Sequence, residues 1–158
     1  IRDRVCTATG IQIPHGSAWI PLEIDLSAFL AANGDMNLAA LELALHDAVD
    51  RGDASHENSG WDTDLRARDS WLNRRLAIAI RGWGCVVRRR REDPRSLATL
   101  RGLEELADFI TTVLTARSQW LAKQHGHCPA LDVTRKTLRT SSVEMQARWR
   151  TMRFDIAT

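Results

Sequence analysis

From Leu97 to Leu121 apolar side chains return every three or four positions: Leu97, Leu100, Leu103, Leu106, Ile110, Val113, Leu114, Trp120 and Leu121. That period is the period of an α-helix, and a stripe of this length needs other apolar surface of the same chain to cover it. The rest of the fold is therefore built around one long helix. Asp93-Pro94 supplies a start, because the carboxylate caps open amides and proline at the first helical position loses a donor that had no partner. The helix is expected to reach about Gln124, with Gly126 ending it.

Three further helices follow from the same period. One runs from about Met36 to Arg51, with Asp35 as its cap, Leu38, Leu41, Leu45, Ala48 and Val49 as its stripe, and Gly52 as the glycine that ends it. A second spans about Asp62 to Arg91, where Trp61, Leu65, Leu72, Leu76, Ile80, Trp83 and Val87 recur at three, four or seven, with a kink or close approach at Gly82 and Gly84. Ser141-x-x-Glu144 is a capping box that leads into a basic amphipathic helix with Met145, Trp149 and Met152 on one face. Ahead of all of them, Ile20 to Leu26 places apolar residues at every second position. Pro21 limits this segment to an edge strand, and it is expected as an arm lying on helices, followed by a short helical turn from Ser27. The expected fold is mainly α, a helical bundle of about four main helices with an extended N-terminal arm. Residues 1–34 form the arm and 35–158 the bundle, within one domain.

Composition narrows the class. The chain is 44% apolar and 27% charged, which excludes a disordered chain, and its longest apolar stretch, Leu76 to Val87, is broken by Arg81 and too short to span a bilayer. The opening residues contain no apolar signal core. Three widely spaced cysteines, Cys6, Cys85 and Cys128, suit reduced thiols and a cytoplasmic compartment better than a disulfide scaffold. A net charge of +2 conceals a division: residues 1–65 carry 3 basic and 11 acidic side chains, residues 66–158 carry 19 basic and 9 acidic. Such asymmetry marks either a surface for an acidic partner or two halves that neutralise each other on folding, and the second reading is preferred.

Three groups of residues could carry function. Arg88, Arg89, Arg90 and Arg91 can meet phosphates with charge and bidentate donors, joined by Arg148, Arg150 and Arg153 of the last helix; equally, the run ends a helix where cations meet the dipole, and Glu92 and Asp93 offset it. His125, His127 and Cys128 are metal-competent side chains within four residues, but the partner pair that zinc motifs place at a set distance is missing, so a polar helix-ending turn is the competing reading. Glu42, His46 and Asp50 share a helix face without the Glu-x-x-His repeat of a bundle metal site. Of six tryptophans, Trp19 in the arm and Trp71 off its stripe are candidate anchors for a partner chain. The expectation is a non-enzymatic binding or adaptor subunit without a cofactor. Its expected partner is a protein or a second copy, a nucleic acid met through the basic half, or both. The other class is a metal-binding protein or enzyme built on the turn from His125 to Cys128.

Overall fold

The computed structural model describes residues 16–130 and the backbone of residues 4–5, 12–13 and 154–157. Two short strands, β1 (Arg4–Val5) and β2 (Gln12–Ile13), pair antiparallel. Strand β3 (Trp19–Asp25) is followed by a 3-10 turn, Leu26–Phe29, and by helices α1 (Leu38–Asn58) and α2 (Asp64–Asn73). Strand β4 (Arg75–Arg81) then leads into helix α3 (Trp83–Arg90) and the 29-residue helix α4 (Leu97–His125), and β5 (Phe154–Ala157) closes the sheet. The fold is mainly α. It is not a bundle of helices alone, because β3, β4 and β5 form a parallel sheet with β4 in the middle.

The long helix expected over residues 62–91 is three elements. Its first part ends when Arg74 turns left-handed (φ 47°, ψ 51°) and caps α2, and residues 75–81 extend as β4. Every residue from Leu76 to Ile80 is buried. A central parallel strand covered on both faces reads as a continuous apolar run rather than an alternating one, and such a run also satisfies a helical stripe. The β-branched Ile78 and Ile80 favour the extended form.

The N-terminal segment expected as an arm carries the edge strand of this sheet. Ile20, Leu22 and Ile24 lie in register with Leu76, Ile78 and Ile80 and share one face with them. Pro21, with no amide hydrogen to give a ladder, sits on that edge strand, exposed.

Helix α1 covers the shared face of the sheet. Its side-chain cap is Asn37, which accepts from the Ala40 amide at 3.1 Å, rather than Asp35. It also runs past Gly52, the expected end, for another six residues. A Cβ at Gly52 would stand 2.8 Å from both Leu22 Cδ1 and Leu76 Cδ2, so the glycine marks the closest approach of helix to sheet. Leu41, Leu45 and Val49 of α1 and Ile110 and Leu114 of α4 complete the core, all buried. Helix α4 packs on α1, and its cap is Ser96, whose Oγ accepts from the Thr99 amide at 3.1 Å, three residues beyond the expected cap Asp93. No helix among the described residues is long and apolar enough to cross a membrane.

Candidate functional site

Helix α3 projects from the C-terminal end of the central strand, and its position follows from Gly82. With φ at +90° the residue leaves the strand in a conformation open to glycine, and a Cβ there would lie 2.6 Å from Asp25 Oδ1 and 3.0 Å from the Ser27 amide nitrogen. The same Asp25 oxygen accepts from the Ser27 amide at 2.8 Å, and the hydrogen bonds from Ser27, helped by nearby Arg81, hold its carboxyl below the usual range. Trp83 donates its indole N–H to the Ile80 carbonyl at 3.0 Å, and Val86 and Val87 are buried, so one side of α3 is fixed to the body of the protein.

The arginine run forms the other side and end of α3. Arg91 is left-handed (φ 56°), its amide donates to the Arg88 carbonyl at 3.1 Å, and the Glu92 amide donates to the Val87 carbonyl at 3.1 Å. These two bonds are a Schellman cap, here closed by an arginine where glycine is usual. Arg88, Arg89 and Arg91 are exposed, and none of the three makes an ion pair among the described residues. Arg90 differs from them: half-buried, it points its Nε–H at the Gly34 carbonyl, 3.3 Å away.

The ion pairs that join the acidic and basic halves lie elsewhere. Arg74 binds Asp53 and Glu57, Arg81 binds Glu23, and Arg117 binds Asp50 through a fork of 2.8 and 2.6 Å while its guanidinium stacks 4.0 Å from the Trp120 ring centre. Internal neutralisation therefore accounts for Arg74, Arg81 and Arg117 and leaves the run at the end of α3 uncovered. Asp50, expected on a shared face with Glu42 and His46, is thus committed to α4.

A buried polar cluster has the residue types of a hydrolytic site and the geometry of a brace. His56, 6% exposed, has Nδ1 2.8 Å from Ser70 Oγ and Nε2 3.0 Å from the Arg75 carbonyl, and its ring stacks on Trp61. A carbonyl can only accept, so Nε2 carries the proton and Nδ1 accepts from the Ser70 hydroxyl. Burial, reinforced by the charge of Arg74, pushes the imidazole down to about 4 against the opposing Arg75 carbonyl and Asp53 and Asp69 carboxylates. Ser70 is 1% exposed, so its hydroxyl is out of reach of a substrate; the cluster ties α1, α2 and the start of β4 together. Beside it Asp69 accepts from the Ala18 amide at 2.7 Å and pairs with Arg75, whose guanidinium lies over the Trp19 ring.

The remaining expected site residues are scattered. Trp19 is half-buried in β3, whereas Trp71 stands 62% exposed on α2. Cys85 and Cys128 are thiols rather than a disulfide, and Cys128 is buried. His125, His127 and Cys128 are not brought together as a metal centre: among the described residues no group of three or more His, Cys, Asp or Glu side chains could hold an ion. Arg148, Arg150 and Arg153, with the helix expected to carry them, lie outside the described residues. One cavity escaped the sequence reading altogether. It holds Asp35, Arg90 and Glu105 beside Gly102, and its one signal in the sequence was a glycine in the middle of a strongly helical stretch. In comparisons with known proteins, no family model and no curated protein matches the chain.

Proposed function

We propose that the chain is a non-enzymatic binding or adaptor subunit that meets an anionic partner, nucleic acid first, through Arg88, Arg89 and Arg91. The observation that carries this reading is the division of the arginines: the fold takes Arg74, Arg81 and Arg117 into ion pairs and presents Arg88, Arg89 and Arg91, which make no ion pair among the described residues, on one exposed helix end, where Arg88 Nη2 donates to Cys85 Sγ at 3.4 Å. Guanidinium groups in that setting contact phosphates without reading base edges, so sequence preference is weak. Cys85 and Cys128 as thiols support a reducing, cytoplasmic-type setting.

The test is fluorescence anisotropy with short single- and double-stranded oligonucleotides across salt. Three phosphate contacts, at a slope of about 0.9 each, reduce affinity about 40-fold between roughly 50 and 200 mM salt. Binding that is absent at low salt, or indifferent to salt, rejects the reading. A protein partner is the second reading, supported by Trp71 at 62% exposure and by Leu97 and Leu100, 63% and 51% exposed one turn apart at the start of α4. Light scattering over a concentration series tests the case of a second copy: a rise from monomer to dimer mass that Trp71→Ser and Leu97→Ser abolish supports it, and a constant monomer mass rejects it.

A further inference from the structure

A cavity of about 380 Å³ lies where the loop before α1, the end of α3 and the first turns of α4 meet, within the range of roughly 300–1,000 Å³ typical of small-ligand clefts. Its lining carries three charged side chains, Asp35, Arg90 and Glu105, and no ion pair joins any of them among the described residues. Opposite charges on one small cavity wall that do not reach each other suit a ligand carrying both signs. Met36, Leu38 and Phe109 supply the rest of the wall with apolar surface.

Gly102 is the second observation. It sits inside a 29-residue helix, where glycine costs about 1 kcal/mol relative to alanine. Gly52, by contrast, is enforced by Leu22 and Leu76, whereas Gly84 in α3 has open space around it. At Gly102 the only atom of the described residues beyond its own stretch of helix within 4 Å of an added Cβ is Arg90 Nη1, at an unstrained 3.8 Å. Packing therefore does not demand this glycine. What its missing side chain does is leave open the wall of the cavity in front of the Arg90 guanidinium, whose plane is set by the Nε–H bond to the Gly34 carbonyl.

From this geometry we propose that the cavity binds a free α-amino acid with an apolar side chain. The ligand carboxylate meets Arg90, its ammonium meets Asp35 and Glu105, and its side chain lies against Met36, Leu38 and Phe109. The site is separate from the exposed arginines of α3 and stands or falls independently of them.

The experiment is isothermal titration calorimetry of the whole chain with L-leucine, L-phenylalanine and L-methionine, each also in N-acetyl and carboxamide form. At least one free amino acid is expected to bind with a dissociation constant of about 1 mM or tighter, and capping either end to weaken it about tenfold or more, since the carboxamide removes the charged contact to Arg90 and the N-acetyl group those to Asp35 and Glu105. Gly102→Leu fills the opening with a good helix former and is expected to abolish binding while leaving oligonucleotide affinity unchanged. Arg90→Gln, at a half-buried side chain, gives the same loss should the leucine disturb the fold. Absence of heat with all three free amino acids overturns the proposal, as does affinity that survives capping or Arg90→Gln.

Discussion

Replacing Asp53 with alanine removes the partner of a guanidinium that has little solvent to fall back on. The Arg74 side chain is 5% exposed and that of Asp53 8%; Arg74 Nε donates to Asp53 Oδ1 and its Nη2 to the Asp53 carbonyl, both at 2.6 Å. Breaking a buried pair from one side costs about 3–5 kcal/mol, because the remaining charge is left uncompensated. Here the Asp53 carbonyl stays, and so does Glu57 Oε1 at 3.3 Å on a side chain 63% exposed, which places the loss near the lower end, about 3 kcal/mol. For a domain of this size that lowers the melting temperature by about 6–12 °C. The assay is urea and thermal unfolding followed by circular dichroism at equal protein concentration. The double replacement Asp53→Leu with Arg74→Met removes both charges and is expected to recover most of the loss. A single-variant loss below about 1 kcal/mol, or a double variant no more stable than the single, would refute the reasoning.

The pH dependence of stability carries the signature of His56. Its protonation falls from the ordinary 6.5 to about 4 in the folded protein, so the unfolded chain binds the proton first. Its contribution is complete above pH 6.5 and is lost as pH falls from 6.5 towards 4, at about 1.4 kcal/mol per unit, and His56→Gln should flatten that slope in urea titrations. The same substitution at two helical glycines should have opposite signs. Gly52→Ala drives a methyl to 2.8 Å from Leu22 and Leu76 and is expected to destabilise by about 1–3 kcal/mol less the helix gain, whereas Gly102→Ala meets only Arg90 Nη1 at 3.8 Å and is expected to stabilise by up to about 1 kcal/mol. Equal signs in thermal unfolding would contradict the packing described for the two sites.

Helix α4 was legible because its stripe is long, uninterrupted and closed by Gly126. Strand β4 was not, for two physical reasons. Its burial on both faces erased the alternation that betrays a strand, and the break before it is made by Arg74, a left-handed residue of a type that carries no turn signal. With 75–81 expected as helix, β3 has no partner and reads as an arm, although its alternation and Pro21 suit the edge strand that it forms beside β4. Gly52 shows the converse error: a glycine after a basic residue looks like a helix end, and only the position of Leu22 and Leu76 reveals it as a contact. Of the candidate site, the exposed arginine run was visible in the sequence. The hydrogen bond that sets Arg90 apart from it, and the ion pairs of Arg74, Arg81 and Arg117, depend on contacts between residues up to 67 positions apart.

The division of the arginines between fold and surface is tested most directly by comparing Arg88→Gln/Arg89→Gln/Arg91→Gln with Arg117→Gln in one pair of assays, thermal unfolding and the salt dependence of oligonucleotide affinity. The triple variant is expected to unfold within about 0.5 kcal/mol of the unmodified protein and to lose about one unit of slope for each phosphate contact removed. Arg117→Gln, which breaks the fork to Asp50 and the stacking on Trp120, is expected to keep the slope and lose about 1 kcal/mol of stability. A triple variant that binds with an unchanged slope and unfolds more easily would contradict the account, since it would place those arginines in the service of the fold.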